Sequence, residues 1–174
     1  MPAVSFQGVA LQRLTTAFFF AALFAVFSTT GAIARPVVNL KLQADLVTHD
    51  DKGVEKLVPV VDSAGLKPGD VVRYIIVAGN SGSDAATHLV PQGKIPAGTA
   101  YEAGSASTSD ALRVEFSLDG GKSWSVKPAV KVQAAGGLVE KLADPSSFTT
   151  LRWIGAQPLL PKTSETYTYQ VRIK

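Results

Sequence analysis

The sequence is organised around residues 66–82, where a turn at Pro68 precedes an apolar run that ends at Asn80. Residues 71–77 of this run are rich in valine and isoleucine, which favour extended backbone, so we predict a strand. Alternation places Val72, Tyr74, Ile76 and Ala78 on one face and Val71, Arg73, Ile75 and Val77 on the other. Both faces are largely apolar. The pattern therefore predicts a central strand that is covered on both sides or that uses one face to contact a partner.

The rest of the chain repeats short runs of extended character that are separated by turns. Residues 36–48 alternate between polar positions and the apolar set Val38, Leu40, Leu42, Ala44 and Leu46, which we expect to face the core. Further strands are predicted at residues 54–61, 85–90, 99–103, 112–118, 128–134, 138–142, 148–154 and 164–173. Pro59 indicates a sheet edge or a strand end. Without a convincing helix after residue 34, this spacing predicts an all-β fold, one antiparallel β-sandwich over residues 35–174.

The first 34 residues have the pattern of an export signal. Arg13 and the amino terminus give a weakly positive start, residues 14–27 an apolar block, and residues 32–34 the Ala-Ile-Ala that a signal peptidase reads. We expect cleavage after Ala34 and an exported product in the periplasm, at the cell surface or secreted. The alternative is an uncleaved anchor, because residues 14–34 carry no charge over nearly the thickness of a membrane. The membrane is a partner only in that case.

The composition argues against two other classes of protein. Lys and Arg number 17 against 14 Asp and Glu, for a net charge of +3, and the basic residues are scattered, so we predict no nucleic-acid partner. The chain has no cysteine. No disulfide therefore constrains the domain, which depends on its core for stability, and lipid attachment at a signal-cleavage cysteine is ruled out.

Residues 117–124 match the Asp-box pattern S-x-D-x-G-x-x-W at Ser117, Asp119, Gly121 and Trp124. In such a box the aspartate side chain holds the backbone of a tight hairpin and the tryptophan covers it. Sialidase propellers carry the box in repeated copies. Because this chain has a single copy and is too short for a propeller, we interpret the box as a structural hairpin rather than as part of a glycan hydrolase.

Other candidate sites have simpler structural interpretations. Residues 121–123, Gly-Lys-Ser, resemble the end of a phosphate-binding loop, but Phe116 stands where the earlier glycine is required. His49, Asp50, Asp51 and Glu55 are metal-ligating residue types, which we interpret as a solvated turn because no second cluster completes a site. The alternative is a weak calcium contact at Asp50, Asp51 or Asp119. We predict no catalytic residues, no cofactor and no metal site.

A Pro68-Gly69-Asp70 turn is followed by Val72, Tyr74, Ile76, Asn80 and Gly82, and later by Ile95-Pro96-Ala97-Gly98-Thr99 with Tyr101. This set of motifs resembles the bacterial "conserved repeat" domain, a family of unknown function. The similarity spans residues 66–105 in a single copy, and Gln92 or Gly93 replaces the acidic residue usual before the Pro-x-Gly turn. The resemblance implies an immunoglobulin-like sandwich in an exported or surface protein, without catalytic residues. A single copy argues against a long stalk.

Two functional hypotheses follow from the sequence. The first is a non-enzymatic module with a structural or binding role at the bacterial cell envelope, whose partner is an unknown envelope protein or glycan. Its candidate contact face is Val71, Arg73, Ile75 and Val77. The alternative is a carbohydrate-binding or carbohydrate-active exported domain, suggested by the Asp box and by Trp124 and Trp153. An aromatic strip of Trp153, Tyr167 and Tyr169 would suit that alternative, but we expect these side chains to lie in the core.

Overall fold

The computed structural model describes residues 35–107, 111–155 and 157–174. The expected signal segment at residues 1–34, with its cleavage site, lies outside the described residues. Within those ranges, no helix has both the length and the apolar character needed to cross a membrane.

The described residues form ten strands, paired antiparallel throughout, and two short 3-10 turns at Ser63–Gly65 and Pro145–Ser147. The strands are β1 Val38–His49, β2 Glu55–Pro59, β3 Val71–Asn80, β4 Gln92–Lys94, β5 Thr99–Tyr101, β6 Leu112–Ser117, β7 Ala129–Ala134, β8 Gly137–Leu142, β9 Thr150–Gly155 and β10 Ser164–Ile173. The predicted all-β, antiparallel fold class is confirmed.

The strands are arranged in a five-stranded sheet with the order β2-β1-β3-β10-β5 and a three-stranded sheet with the order β4-β9-β6, while β7 and β8 form a separate hairpin. The organising run of the sequence becomes β3, which lies at the centre of the larger sheet, as predicted. Pro59 ends β2 at the edge of the same sheet, again as predicted, because an edge strand tolerates the missing N–H group.

The core lies between the five-stranded and the three-stranded sheet. Val72 of β3 and Tyr169 of β10 are buried from one side, and Leu151 and Trp153 of β9 from the other. The Trp153 ring lies 5.4 Å from the Tyr167 ring and 6.0 Å from the Tyr169 ring. These aromatic contacts join the two sheets of the sandwich, so the expectation that the three side chains are core residues is confirmed.

The expected burial of β1 is wrong for its first half. Leu40 and Leu42 are 58% and 67% exposed, although they pair in register with the buried Ala78 and Ile76 on the core-facing side of the sheet. Their face is therefore the expected one, but the smaller sheet does not extend far enough to cover them. Alternation along a strand fixes which face a residue occupies and leaves the width of the opposing sheet undetermined.

The strand predicted at residues 85–90 is also not formed. This part of the chain contributes only the isolated bridge between Ala86 and Leu159. His88 has a φ of 57°, in the left-handed region, and Pro91 lacks a backbone N–H. A left-handed residue interrupts the extended backbone that a longer ladder would need.

Candidate functional site

The first half of β1 lies at an open edge of the five-stranded sheet. β2 pairs with β1 only from Asp45 to His49, and one further hydrogen bond joins the Val60 N–H to the Ala44 carbonyl at 2.9 Å. On its other side, β1 pairs with β3 from Val38 onward. Among the described residues, residues 38–43 thus have a neighbouring strand on one side only. We call residues 38–43 the β1 edge segment.

Three residues of the β1 edge segment direct their backbone groups away from the sheet. In an antiparallel ladder, successive residues point their N–H and C=O groups to opposite sides. The Val37 carbonyl accepts from Ser81 on the β3 side, whereas the Ala44 carbonyl accepts from Val60 on the β2 side. By the same alternation, Val38, Leu40 and Leu42 direct their donors and acceptors to the open side, where another extended chain can pair with them.

The sequence that follows β2 explains why this edge stays open. After Pro59 the chain makes one last bond to β1 and then leaves the sheet at the fully exposed Val61. Asp62 accepts a hydrogen bond from the Ala64 N–H and caps the 3-10 turn Ser63–Gly65. This turn carries the chain toward β3, so β2 covers only the second half of β1.

Leu42 borders an apolar groove between β1 and β4. Leu42, Tyr74, Ile76, Pro96 and Tyr169 contribute its apolar lining. The Tyr74 and Tyr169 rings stack with their centroids 5.1 Å apart. Burial raises the pKa of both phenols above their ordinary value of 10.0, so both stay neutral at physiological pH. The groove therefore has a neutral aromatic floor beside Leu42, and Gln92 and Lys94 are among its other lining residues.

Gly93 allows the two sheets to approach closely at this groove. A Cβ atom at Gly93 would lie 2.5 Å from the Tyr169 ring, which leaves no space for any side chain. The Tyr169 hydroxyl passes under β4 and donates to the Lys94 carbonyl at 2.6 Å. This bond occupies one of the acceptors on the outer edge of β4, so β4 offers a shorter open edge than β1 does.

The contact face proposed from the sequence lies on the outer side of the five-stranded sheet. Val71, Arg73, Ile75 and Val77 are each half-buried there. Arg73 forms an ion pair with Glu55, with N–O distances of 2.7 and 2.9 Å. Polar residues stand beside the apolar ones on both neighbouring strands, namely Lys41 and Gln43 on β1 and Thr166 and Thr168 on β10. The side chains of this face are consequently less exposed than Leu40 and Leu42 of the β1 edge segment, and more of their neighbours are polar.

The Asp-box residues form a closed hydrogen-bonded loop. The Asp119 carboxylate accepts from the backbone N–H groups of Lys122 and Ser123 at 3.0 and 2.9 Å and from the Ser123 hydroxyl at 2.6 Å. The buried Ser117 hydroxyl donates to Asp119 at 2.7 Å and accepts from the Gly121 N–H at 2.8 Å. Ser125 then pairs with Phe116 across the reversal. Side chains of the box thus serve to hold the backbone of the turn.

Trp124 is partly buried against its own protein. The Arg152 guanidinium lies 4.4 Å from the centre of the Trp124 ring, within the range of a cation–π contact. A Cβ atom at Gly121 would lie 3.2 Å from the same ring, where the φ of 93° also favours glycine. Trp124 thus covers the hairpin, and Arg152 competes with any sugar for a face of its ring.

The hairpin predicts a specific pH dependence of stability. Hydrogen bonds from Ser123, and then from Ser117, lower the pKa of Asp119 below its ordinary value of 3.8. The folded protein therefore resists protonation more than the unfolded chain, and the stabilisation is complete above that ordinary value and lost as the pH falls. We expect the free energy of unfolding of Asp119→Asn, measured in urea, to fall less steeply than that of the wild type below about pH 4.

The uncharged substitution Asn39→Ala is the control for this titration and keeps the wild-type slope, because it removes no ionisable group. Parallel curves for the wild type and Asp119→Asn would show that the hairpin bonds do not favour the carboxylate.

The candidate ligands near His49 serve the turn between β1 and β2. The Asp50 carboxylate accepts from the backbone N–H groups of Lys52 and Val54, both at 2.9 Å. Glu55 is directed to Arg73. Within residues 35–107, 111–155 and 157–174, no three His, Cys, Asp or Glu side chains are grouped to hold a metal ion.

Searches of protein-family models, curated proteins and solved structures find no match to this chain.

Proposed function

We propose that this chain is an exported, non-enzymatic, immunoglobulin-like module with a structural or binding role at the bacterial cell envelope. The observation that carries the proposal is the β1 edge segment. It combines outward-directed backbone groups at Val38, Leu40 and Leu42 with two leucines that are 58% and 67% exposed. Proteins usually protect sheet edges with charge, proline or a covering loop, so an apolar open edge favours a contact surface.

The contact would use strand addition. A partner segment in extended conformation would continue the five-stranded sheet beyond β1, with its backbone bonded to Val38, Leu40 and Leu42. Its apolar side chains would cover the two exposed leucines. Lys41 lies on the opposite face of the strand and stays in solvent, so the partner needs no acidic residue on the covered side.

Export is supported by the sequence pattern of residues 1–34 and by the resemblance to the conserved-repeat family. Cell fractionation with mass spectrometry of the amino terminus tests it. We expect an envelope or secreted species that begins at Arg35. A cytoplasmic species that retains Met1 would overturn export, and a membrane-bound species that retains Met1 would replace cleavage by anchoring.

Photo-crosslinking in intact cells tests the binding role. A photoreactive amino acid at position 40 is expected to capture a partner. The same group at position 138 on β8, where Leu138 is also exposed, is expected to capture none and provides the matched control. Equal capture at both positions, or none at either, would overturn the proposed contact surface.

The carbohydrate alternative has weaker support in the contacts of its two tryptophans. Trp153 is buried between the sheets, and Trp124 is partly buried with Arg152 over its ring. Trp153 therefore presents no ring face to a sugar, and at Trp124 a sugar would compete with Arg152. A glycan array is the direct test, and strong binding that survives substitution of Leu42 would favour this alternative.

A further inference from the structure

We infer that the outer face of the five-stranded sheet binds a phosphate group in a hollow above Gly79. The hollow has a volume of about 500 Å³, which lies within the range of ligand pockets. Val77, the last residue of the contact face expected from the sequence, forms part of its floor. The hollow uses side chains of the outer face and none of the open backbone groups of the β1 edge segment, so this inference goes beyond the function proposed above.

Gly79 creates the hollow because it places no side chain between two neighbouring strands. Asn39 of β1 and Ser164 of β10 pair with Gly79 from its two sides, so all three share the outer face. Since adjacent strands lie about 4.8 Å apart, the backbones at Asn39 and Ser164 are separated by about 10 Å. Apart from its chain neighbours, a Cβ atom at Gly79 would meet no heavy atom within 4 Å. A glycine inside a strand often marks a close approach by a ligand, and this gap accommodates a phosphate group.

The charges around the hollow match those of a phosphate monoester. Lys41 of β1 and Lys162 of the turn before β10 are both among its lining residues, and no acidic residue is. In the part of the chain that the structure describes, the ion pairs involve other basic side chains and neither of these two lysines. A phosphate monoester carries a charge of about −1.5 to −2 at neutral pH, which two ammonium groups balance. The pair of lysines therefore favours a phosphate over a single carboxylate.

The turn that carries Lys162 holds it in a backbone conformation that lysine rarely adopts. Its φ is 61°, and it follows Pro161 in a turn position where a positive φ favours glycine or asparagine. The Lys162 N–H donates to the Asn80 carbonyl at 2.7 Å, and its ammonium group donates to the Ser81 carbonyl. These bonds keep the ammonium group beside the hollow. Strained residues of this kind are concentrated at binding sites, because the surrounding structure has to maintain them.

Titration with inorganic phosphate tests the site, with amide chemical shifts followed by nuclear magnetic resonance at constant ionic strength. For the protein in the form that cells accumulate, we expect saturable shifts at Gly79, Lys162 and Ser164. Gly79→Thr fills the hollow with a residue that favours strands, so we expect binding at least about tenfold weaker at an unchanged melting temperature. A wild type without saturable shifts, or a folded Gly79→Thr that binds as the wild type does, would overturn the site.

A second pair of variants tests the charge without filling the hollow. Lys162→Asn removes the ammonium group and suits the left-handed backbone, so we expect a stable protein with at least about tenfold weaker phosphate binding. The matched control is Lys131→Asn, which removes the same charge from the exposed surface of β7 and is expected to keep the wild-type affinity. Equal affinities for Lys162→Asn and Lys131→Asn would overturn the role of Lys162.

Vesicle flotation distinguishes a lipid headgroup from a soluble phosphate as the source of this group. Binding to phosphatidylcholine vesicles only when they contain phosphatidic acid, and its loss in Gly79→Thr, would assign the phosphate to a lipid. Saturable shifts with inorganic phosphate but no flotation would assign it to a soluble molecule. If phosphate binds while position 40 captures no partner in cells, the proposed contact surface fails and this site remains.

Discussion

Trp153→Ala is expected to lower the free energy of unfolding by about 3–5 kcal/mol, because a large side chain leaves a cavity that the two sheets cannot close. Trp153 is 0% exposed and touches Tyr167 and Tyr169 across the sandwich. Its indole N–H also donates to the Ser107 carbonyl at 3.0 Å. The substitution therefore removes both apolar contacts and a hydrogen bond. Urea denaturation followed by far-ultraviolet circular dichroism measures the effect.

Leu138→Ala is the matched control for Trp153→Ala. Leu138 is 69% exposed on β8, so its removal is expected to change stability by no more than about 0.5 kcal/mol. If Trp153→Ala were as stable as this control, the tryptophan would not lie between the sheets, and the described core would be wrong.

Asn80→Ala is expected to lower the free energy of unfolding by about 2–4 kcal/mol, because it leaves several backbone groups without partners. The buried Asn80 amide accepts from the N–H groups of Val37 and Gly82 at 3.2 and 3.0 Å. It donates to the carbonyls of Asp84 and Leu159 at 2.7 and 3.0 Å. One side chain thus joins the start of β1 to the loops that follow β3 and precede β10.

The control for Asn80→Ala is Asn39→Ala, which removes only an exposed bond of 3.2 Å to the Ser81 hydroxyl. We expect this variant to stay within about 0.5 kcal/mol of the wild type. Similar losses for the two asparagines would mean that burial of the Asn80 amide contributes nothing.

The sequence predicted the central strand because the evidence for it is local. Residues 71–77 are rich in valine and isoleucine, and the run is bounded by a turn before Val71 and by Asn80 after Val77. These features depend on neighbours along the chain, and β3 follows them closely. The turn of the Asp box could also be predicted from the sequence, because Ser117, Asp119 and Ser123 are close along the chain and bond to one another within one short turn.

The β1 edge segment was not predictable in the same way. Its polar and apolar residues alternate regularly, and Leu40 and Leu42 do occupy the core-facing side. Their exposure depends on where β2 ends and on how many strands the opposing sheet contains, which are properties of distant parts of the chain. The early end of β2 has one local signal, Pro59, but proline alone does not say which partner residues lose their neighbour.

The direct test of the open edge is amide hydrogen exchange at single residues of β1, followed by nuclear magnetic resonance. In dilute protein, we expect the Leu40 and Leu42 amides to exchange about 100-fold or more faster than those of Lys41 and Gln43, which are bonded to β3. Equal protection of all four amides would contradict an open edge at residues 38–43 of β1.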